Sequence, residues 1–349
     1  MKPENDFSSF NGFRAGPRRV VRLTAQDLVT TGYLESAPGF PLVMQSSMEN
    51  VNLLEWAAGN RELIEAQLLA HGAILFRGFS VESAATFESF IKVTAGQLIE
   101  YSERSSPRSR VSGRVYTSTD YPPDQAIFLH NEQSYNITFP MKIVFFCMSP
   151  ASTGGETPIA DTRRIYQRIS PRVREQFIRH GYLYVRNFGD GFGLSWQDAF
   201  QTTSKSSVEN YCRDNGMTFQ WKEGGRLRTA QVRRVIARHP RNGETAWFNH
   251  LTFFHISTLA RHIQELLRAR LDEENLPNNT YYGDGSRIEP WILDELREAY
   301  LQEKVIFPWQ KGDILMLDNM LAAHGREPYS GARKVLVGMA ETRTWQDIL

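Results

Sequence analysis

Two histidines and one glutamate are the residues of this sequence whose types and spacing suit metal chemistry. His130 and Glu132 stand two positions apart in LHNEQSYN, and His324 follows the apolar run ILMLDN. In an extended segment residues i and i+2 point to the same side, so His130 and Glu132 can reach one ion. With His324 as third ligand, three positions of an octahedral ion stay open. This pattern suits a nonhaem Fe(II) oxygenase, and it also suits Zn²⁺ with an activated water.

The pattern of hydrophobic residues predicts many short strands with helices outside them. Helices are predicted from Asn60 to a stop at Gly72, around Phe87, Phe90 and Ile91, over 165–177 with a restart at Ser170-Pro171, and at 258–271 and 290–302. Strands are predicted at 73–76, 127–132, 142–148, 182–187, 217–221, 227–237, 245–248, 313–318 and 334–340, with a turn at Pro140. Residues 101–125 are predicted to form a long functional loop, and residues 1–50 to be irregular. This arrangement indicates a mainly β, α+β fold with a jelly-roll-like core and helical insertions.

The composition is that of an ordinary globular chain without the charge that attracts nucleic acid or an anionic membrane. The 349 residues carry a formal net charge of +1, with 41% hydrophobic and 23% charged residues. No apolar run approaches the roughly 18 residues of a transmembrane helix, and the start MKPENDFSSF has no apolar signal core. The two cysteines give neither metal spacing nor a disulfide framework. We therefore expect one catalytic unit over 1–349, cytoplasmic, with no nucleic-acid or membrane partner.

Three motifs follow one another along the chain: LHNEQSYN, GGETPIADTR and GDILMLDNMLAAHGREPYSGARK. Together they resemble the taurine dioxygenase (TauD/TfdA)/clavaminate synthase-like superfamily, from about residue 60 to the end. The His-x-Glu version with GGET and HGR is similar to the SyrP-like branch, which hydroxylates amino acids, free or carrier-bound, for peptide natural products. The resemblance implies a double-stranded β-helix (jelly-roll) core, Fe(II) as cofactor, 2-oxoglutarate and O2 as cosubstrates, and succinate and CO2 as products.

The resemblance also implies roles for individual residues. The implied iron ligands are His130, Glu132 and His324. The implied 2-oxoglutarate contacts are Thr157 of the GGET motif and Arg333, whose planar fork suits the far carboxylate. Val337 stands where taurine dioxygenase-like members carry a second arginine that grips the substrate's anionic group. A free α-carboxylate must then be recognised from elsewhere, or it is masked as a thioester. Because a carboxylate fills the position that halogenases leave to chloride, we expect hydroxylation.

Substrate contacts are predicted with less support. The loop YSERSSPRSR is either a polar surface loop or a lid that brings Glu103, Arg104 and Ser105 to the substrate. Asn249 or His250 is a further candidate for the pocket lining. The implied substrate is an amino acid, either free or presented on an acidic peptidyl carrier protein.

Other polar and aromatic clusters are predicted to be structural. His250 and His255 lie five apart, which suits neither a helical nor an alternating ligand pair. The six arginines between Arg226 and Arg241 form either a solvated face or a docking patch for the carrier. The aromatic residues expected in the core are Trp196, Trp221, Trp247 and Phe248.

Three alternatives stay open at this point. Desaturation or epoxidation uses the same iron centre and the same ligands. A zinc hydrolase fits the three ligands, although it has no use for Arg333 and Thr157 as a clamp for a distant carboxylate. A non-catalytic scaffold on a retired oxygenase fold normally shows a lost ligand, and none is lost here.

Overall fold

The computed structural model describes residues 28–49, 51–100, 103, 108–118, 121–189 and 191–348. The strands are β1 Val29–Leu34, β2 Ala37–Ser46, β3 Ala73–Arg77, β4 Arg110–Ser112, β5 Val115–Thr117, β6 Ile127–His130, β7 Thr138–Ser149, β8 Thr153–Gly154, β9 Ile159–Asp161, β10 Tyr182–Phe188, β11 Thr218–Trp221, β12 Leu227–Arg233, β13 Ile236–Arg238, β14 Thr245–Trp247, β15 Asn278–Tyr282, β16 Ile314–Asp318, β17 Ala322–Arg326, β18 Tyr329–Ser330 and β19 Lys334–Thr344. The helices are α1 Leu53–Gly59, α2 Arg61–His71, α3 Ala84–Ala95, α4 Thr162–Arg168, α5 Pro171–His180, α6 Trp196–Phe200, α7 Lys205–Asp214, α8 Leu251–Phe254, α9 Arg261–Arg270 and α10 Pro290–Gln302. Within these described ranges, no helix has the length and apolar character needed to cross a membrane.

The largest sheet among the described residues has eight strands. Its eight strands run in the order β1-β2-β3-β16-β7-β19-β5-β4, and only the pair β2–β3 is parallel. Successive side chains of β7 point to opposite faces. Val144 and Phe146 join the core beneath α1–α3, whereas Ile143, Phe145 and Cys147 join the core on the other face. Both faces are covered, which explains the continuous apolar run in this strand.

Smaller sheets complete a mixed α+β architecture. The three-stranded sheet β6-β17-β9 and the four-stranded sheet β11-β12-β10-β15 contribute to a second core with α4, α5 and α10. In that core Ala160 and Ala323 of the three-stranded sheet lie with Ile165 of α4 and Phe177 of α5. The three-stranded sheet is thus supported by helices on one side.

Local signals set the helix boundaries as predicted. Gly72 adopts the left-handed conformation with φ +76°, and its N–H donates to the Leu68 carbonyl, which ends α2. Pro171 occupies the first turn of α5, so the predicted restart after Ile169 is confirmed. Asn52 caps α1 by accepting hydrogen bonds from the backbone of the first turn.

Two predictions of irregular structure are wrong for the residues that the structure describes, which exclude 1–27. The irregular segment predicted over 1–50 contains β1 and β2, because Pro38, Gly39 and Pro41 hide the strand pattern of a segment that pairs on both sides. The loop predicted over 101–125 contains the hairpin β4–β5. Its strands of three residues are too short to show a periodicity.

The predicted turn at Pro140 is also wrong, because this residue lies inside β7 and pairs with Thr342 of β19. The Pro140 carbonyl points to the other side, where it accepts a hydrogen bond from the Asn319 side chain. Its missing N–H therefore faces the side on which β16 has already ended at Asp318. No hydrogen bond of the sheet is lost, so the strand tolerates proline here.

Candidate metal centre

Three potential metal ligands converge where β6 and β17 pair. His130 ends β6 and lies directly opposite His324 in the antiparallel register. Glu132 follows in the next turn, and its Oε2 is 3.9 Å from His324 Nε2. One ligand atom of each residue lies within 4.8 Å of the others, and all three residues are buried. Metal–ligand bonds of about 2.0–2.2 Å place ligand atoms roughly 3–4 Å apart, close to this spacing, so the three residues are candidate ligands of a single ion.

Asn319 fixes the turn that carries Glu132. Its side-chain oxygen accepts a hydrogen bond from the Glu132 N–H at 2.8 Å, and its amide nitrogen donates to the carbonyls of Glu132 and Pro140, both at 2.8 Å. Gln133 follows with φ +54°. The strand predicted to reach Glu132 stops at His130. The turn and Asn319, rather than the alternation of an extended segment, therefore place the carboxylate.

Hydrogen bonding and burial keep both histidines in the form that binds a cation. His130 Nδ1 lies 2.8 Å from the Phe128 carbonyl oxygen, so the proton is on Nδ1 and Nε2 keeps its lone pair. Burial lowers the pKa of His130, while Glu132 opposes the shift. Burial lowers the pKa of His324 well below its usual value, and the nearby His130 adds to this. Both side chains are neutral at pH 7, as ligation requires.

A cavity beside these residues also contains both predicted cosubstrate contacts. Its lining residues are Arg108, Ser118, Ile127, His130, Phe145, Thr157, His324, Gly325, Arg326 and Arg333. Thr157 Oγ1 accepts a hydrogen bond from Trp309 Nε1 at 3.2 Å, so its own proton is available to a ligand. Arg333 donates from Nε to the Gly155 carbonyl at 2.8 Å and from Nη1 to Ser118 Oγ at 2.9 Å.

The charge of Arg333 favours an anion in this cavity. Both of its hydrogen-bond acceptors are neutral oxygens. Burial lowers the pKa of Arg333 to about 10, and the positive charge of Arg326 contributes, so the side chain stays charged at neutral pH. Because a buried charge is costly without a counter-charge, a carboxylate bound here would be stabilised.

The glycines of the GGET motif allow this close packing. Gly155 has φ +75°, and a Cβ at this position would lie 2.9 Å from Arg333 Cδ. Gly154 has φ +67°, and its Cβ would lie 2.2 Å from the Pro328 carbonyl oxygen. Glycine is required at both positions for conformation and for space.

Two further arginines line the cavity and were not predicted from the sequence. The Arg108 side chain is 4% exposed, and its Nη2 donates to Glu132 Oε2 at 2.6 Å. Arg326 donates to the backbone carbonyls of Tyr121, Pro122 and Gln125. Arg108 gave no signal because it lies in a stretch rich in Arg and Ser. Arg326 stands in the HGR motif, in which the sequence predicts a role only for His324.

Comparison with known proteins decides the family. The profile of the taurine catabolism dioxygenase TauD/TfdA family matches residues 36–340. The chain belongs to the TauD/TfdA family.

Relatives cover most of the chain. It is 40% identical over 278 residues to the dapdiamide synthesis protein DdaC of Enterobacter agglomerans, which spans 80% of this chain and 84% of that protein. It is 30% identical over 293 residues to a clavaminate synthase-like protein of Arabidopsis thaliana, spanning 80% and 85% of the two chains. The crystal structure of PvcB from Pseudomonas aeruginosa shares the fold with a TM-score of 0.54 at 17% identity, covering 91% of this chain and 92% of that one.

As a TauD/TfdA member the chain is a 2-oxoglutarate-dependent dioxygenase that uses Fe(II), rather than a zinc hydrolase. The residues present fit both groups. Two neutral imidazoles and one carboxylate are donors that Fe(II) accepts. Thr157 and Arg333 supply hydrogen-bond donors of the kind that a carboxylate of 2-oxoglutarate requires.

Glu103, a predicted substrate contact, is not among the residues that line the cavity. Glu103 is buried, and its Oε2 accepts a hydrogen bond from the Tyr211 hydroxyl at 2.9 Å. Its Oε1 lies 3.6 Å from Arg186 Nη1. Burial raises the pKa of Glu103, although Arg186 opposes the shift. Arg104 and Ser105, the other two predicted loop contacts, lie outside the described residues.

Asn249 links backbone segments. Its amide donates to the Val235 carbonyl at 2.9 Å, and its oxygen accepts from the Leu251 N–H at 3.0 Å. The structure therefore gives this side chain a contact with the fold rather than with the cavity. His250, its neighbour, packs its ring 5.1 Å from the ring of His130.

The arginine-rich segment Arg226–Arg241 is largely engaged within the chain. Arg233 donates to the Tyr135 carbonyl, and Arg241 pairs with Glu65 and Glu341. These contacts support a structural role for the segment, and docking to a carrier protein stays a prediction. Of the aromatic residues predicted to be core, Trp247 and Phe248 are fully buried, Trp196 nearly so, and Trp221 is half-buried.

Proposed function

We propose that the chain hydroxylates an unactivated C–H bond of an amino acid, free or tethered to a carrier protein, in the synthesis of a natural product. One observation carries the proposal: two members of the His130–Glu132–His324 cluster, His130 and His324, line the same cavity as Thr157 and Arg333. The first set suits an iron ion, and the second suits the far carboxylate of 2-oxoglutarate.

In this proposal His130, Glu132 and His324 hold the iron, and Thr157 and Arg333 hold 2-oxoglutarate. When bound, iron and 2-oxoglutarate activate O2, so that 2-oxoglutarate becomes succinate and CO2 and one oxygen atom enters the substrate. The chain itself supplies placement and shielding.

Neighbouring groups perform this placement. The Phe128 carbonyl keeps the proton of His130 on Nδ1, and Asn319 holds the Glu132 turn. The side chains of Ile127 and Phe145 give the cavity apolar walls, which limit the access of water.

The choice of an amino-acid substrate rests on sequence similarity. The dapdiamide synthesis protein is 40% identical and, by its name, takes part in dapdiamide synthesis. The match of the TauD/TfdA family model to residues 36–340 supports two structural proposals. Residues 1–349 form one catalytic domain, and the large sheet and the β6-β17-β9 sheet are the two walls of a double-stranded β-helix.

An anaerobic titration tests the class of site. Fe(II) and 2-oxoglutarate added to the metal-free protein should give a visible charge-transfer band. We expect no band in His324→Ala, and a need for about 100-fold more 2-oxoglutarate in Arg333→Ala, because a bidentate pair is lost. Lys334→Ala is the matched control, since this exposed residue directly follows Arg333 at the start of β19. Absence of the band in the wild type at saturating 2-oxoglutarate would overturn the proposal.

A product assay tests the reaction. With an amino acid or its carrier thioester as substrate, succinate release should rise together with a product that carries one additional oxygen atom. A product that has lost two hydrogens, or an epoxide, would identify the same iron centre as a desaturase or epoxidase and would overturn hydroxylation.

A further inference from the structure

We propose that Arg108 binds a free carboxylate of the primary substrate beside the iron. This inference rests on the proposed function and makes it narrower. It favours an amino acid or peptide with a free carboxylate over a carrier thioester, in which that carboxylate is masked.

Backbone pairing brings Arg108 to the cavity wall. The next residue, Ser109, accepts a hydrogen bond from the Thr117 N–H at 2.8 Å and donates from its own N–H to Thr117 Oγ1 at 3.0 Å. Ser118 follows Thr117 and contacts Arg333 at 2.9 Å. Arg108 therefore reaches the cavity from the segment before β4, which is bonded to the end of β5, the strand beside β19.

The hydrogen bond of Arg108 competes with a metal ion. Its Nη2 lies 2.6 Å from Glu132 Oε2, and the same oxygen is the one that lies 3.9 Å from His324 Nε2. A cation bound between Glu132 and His324 would therefore lie close to this oxygen and to the guanidinium. Two positive charges this close repel each other, and more strongly in a buried site than in water. Metal binding therefore weakens the Arg108–Glu132 pair and favours a second anion near the guanidinium.

The other two arginines of the cavity lining have partners of their own, so neither is the candidate for binding the substrate carboxylate. In the proposed function the far carboxylate of 2-oxoglutarate is bound by Arg333. The guanidinium of Arg326 is engaged with three backbone carbonyls. Val337, where an arginine clamp was considered, is fully buried and pairs with Phe145 inside the sheet.

A carboxylate is the substrate group that gains most from Arg108. The planar guanidinium can donate two parallel hydrogen bonds to a carboxylate, and both partners are charged. A thioester carbonyl offers one neutral acceptor. The cavity position of Arg108 thus favours the free acid.

A measurement of metal affinity distinguishes substrate binding by Arg108 from a role in positioning Glu132. Mn(II) binding to the metal-free protein is followed by the electron paramagnetic resonance signal of the free ion. Arg108→Gln should bind Mn(II) at least as tightly as the wild type, because a competing cation is gone. Binding at least about tenfold weaker would show that Arg108 mainly positions Glu132, and it would overturn the inference.

A carboxylate probe tests the anion site directly. Sodium acetate is added to the anaerobic complex of protein, Fe(II) and saturating 2-oxoglutarate, with sodium chloride at equal ionic strength as reference. Acetate should shift the visible band in the wild type, and Arg108→Gln should need about tenfold more acetate or more. Arg110→Gln is the control, since Arg110 is two residues away and its partner Glu100 is exposed. No acetate effect in the wild type, or equal effects in Arg108→Gln, would overturn the inference.

If a positive charge at position 108 binds the carboxylate, one further variant and one further probe test it. Arg108→Lys keeps the charge and should need less acetate than Arg108→Gln. The second probe uses those of the twenty common L-amino acids that raise succinate release. The KM of each primary amide should be about tenfold or more above that of the free acid, and this difference should vanish in Arg108→Gln. If the charge-transfer band forms but the substrate shows no preference for a free carboxylate, only the inference about Arg108 is overturned. If the band does not form, the proposed function itself is overturned.

Discussion

The two groups of polar residues in the cavity are built differently. His130, Glu132 and His324 offer lone pairs, and they converge through the register of one strand pair and one turn. Thr157 and Arg333 offer protons, and each is held by its own neighbours. An ion needs all of its ligands at once, whereas a carboxylate loses hydrogen bonds one at a time. We therefore expect abrupt losses in the metal group and graded losses in the cosubstrate group.

The largest effect is expected from His130→Ala, which removes one ligand and leaves the other two too few to hold iron. Iron content and succinate release should both fall below detection, as measured by metal analysis and a coupled succinate assay. His262→Ala, in the exposed face of α9, should leave both unchanged. A His130→Ala protein that keeps one iron per chain would break the comparison.

A smaller loss is expected when the support of Glu132 is removed. Asn319→Ala deletes three hydrogen bonds at the turn, and metal affinity should fall about 10- to 100-fold. The free energy of unfolding should fall by about 1–3 kcal/mol, because buried backbone groups lose their partners. Mn(II) titration and urea denaturation measure the two effects. Asn210→Ala on the exposed face of α7 serves as control, and an unchanged Mn(II) affinity would show that the turn holds itself.

In the cosubstrate group, Gly155→Ala should displace Arg333 without removing it. The added Cβ would meet Arg333 Cδ at 2.9 Å in a backbone conformation with φ +75°. We expect the KM for 2-oxoglutarate to rise about tenfold, equivalent to losing one charged hydrogen bond, while bound iron is retained. Gly59→Ala is the matched control, because open space surrounds that position. Loss of iron in Gly155→Ala would show that the two groups are coupled.

The smallest effect is expected from Trp309→Phe. This change removes the donor to Thr157 Oγ1 and keeps the aromatic packing against Phe307. The KM for 2-oxoglutarate should rise about two- to fivefold, as for one neutral hydrogen bond. Steady-state kinetics with varied 2-oxoglutarate measures it. An increase larger than that of Gly155→Ala would reverse the expected order and give Thr157 the greater share of binding.

The sequence was sufficient to predict residues that belong to short motifs. These residues are His130, Glu132, His324, Thr157 and Arg333. Four of them line one cavity, and Glu132 lies in the cluster with His130 and His324. Their roles follow from residue type within a fixed local pattern. The α+β architecture with extensive sheets was predicted from the order of strands and helices, because strand and helix periodicities are local properties.

Residues whose role depends on distant pairing could not be predicted. Asn319 acts on Glu132 across 187 positions, and Arg108 acts on it across 24 positions from a polar stretch. The strand position of Pro140 depends on where a different strand, β16, ends. The sequence predicts Glu103 in a surface loop or a substrate lid, and its carboxylate is buried beside Arg186 and Tyr211. No local pattern contains these relations.

The pairing of His130 with His324 also has a thermodynamic consequence. A bound ion that joins β6 to β17 acts as a reversible cross-link between segments far apart in the chain, and an unfolded chain cannot present the same three ligands. By mass action, free metal at 100 times its dissociation constant adds about 2.7 kcal/mol to the stability of the folded state. We therefore expect the melting temperature of this enzyme to rise with the metal concentration around it.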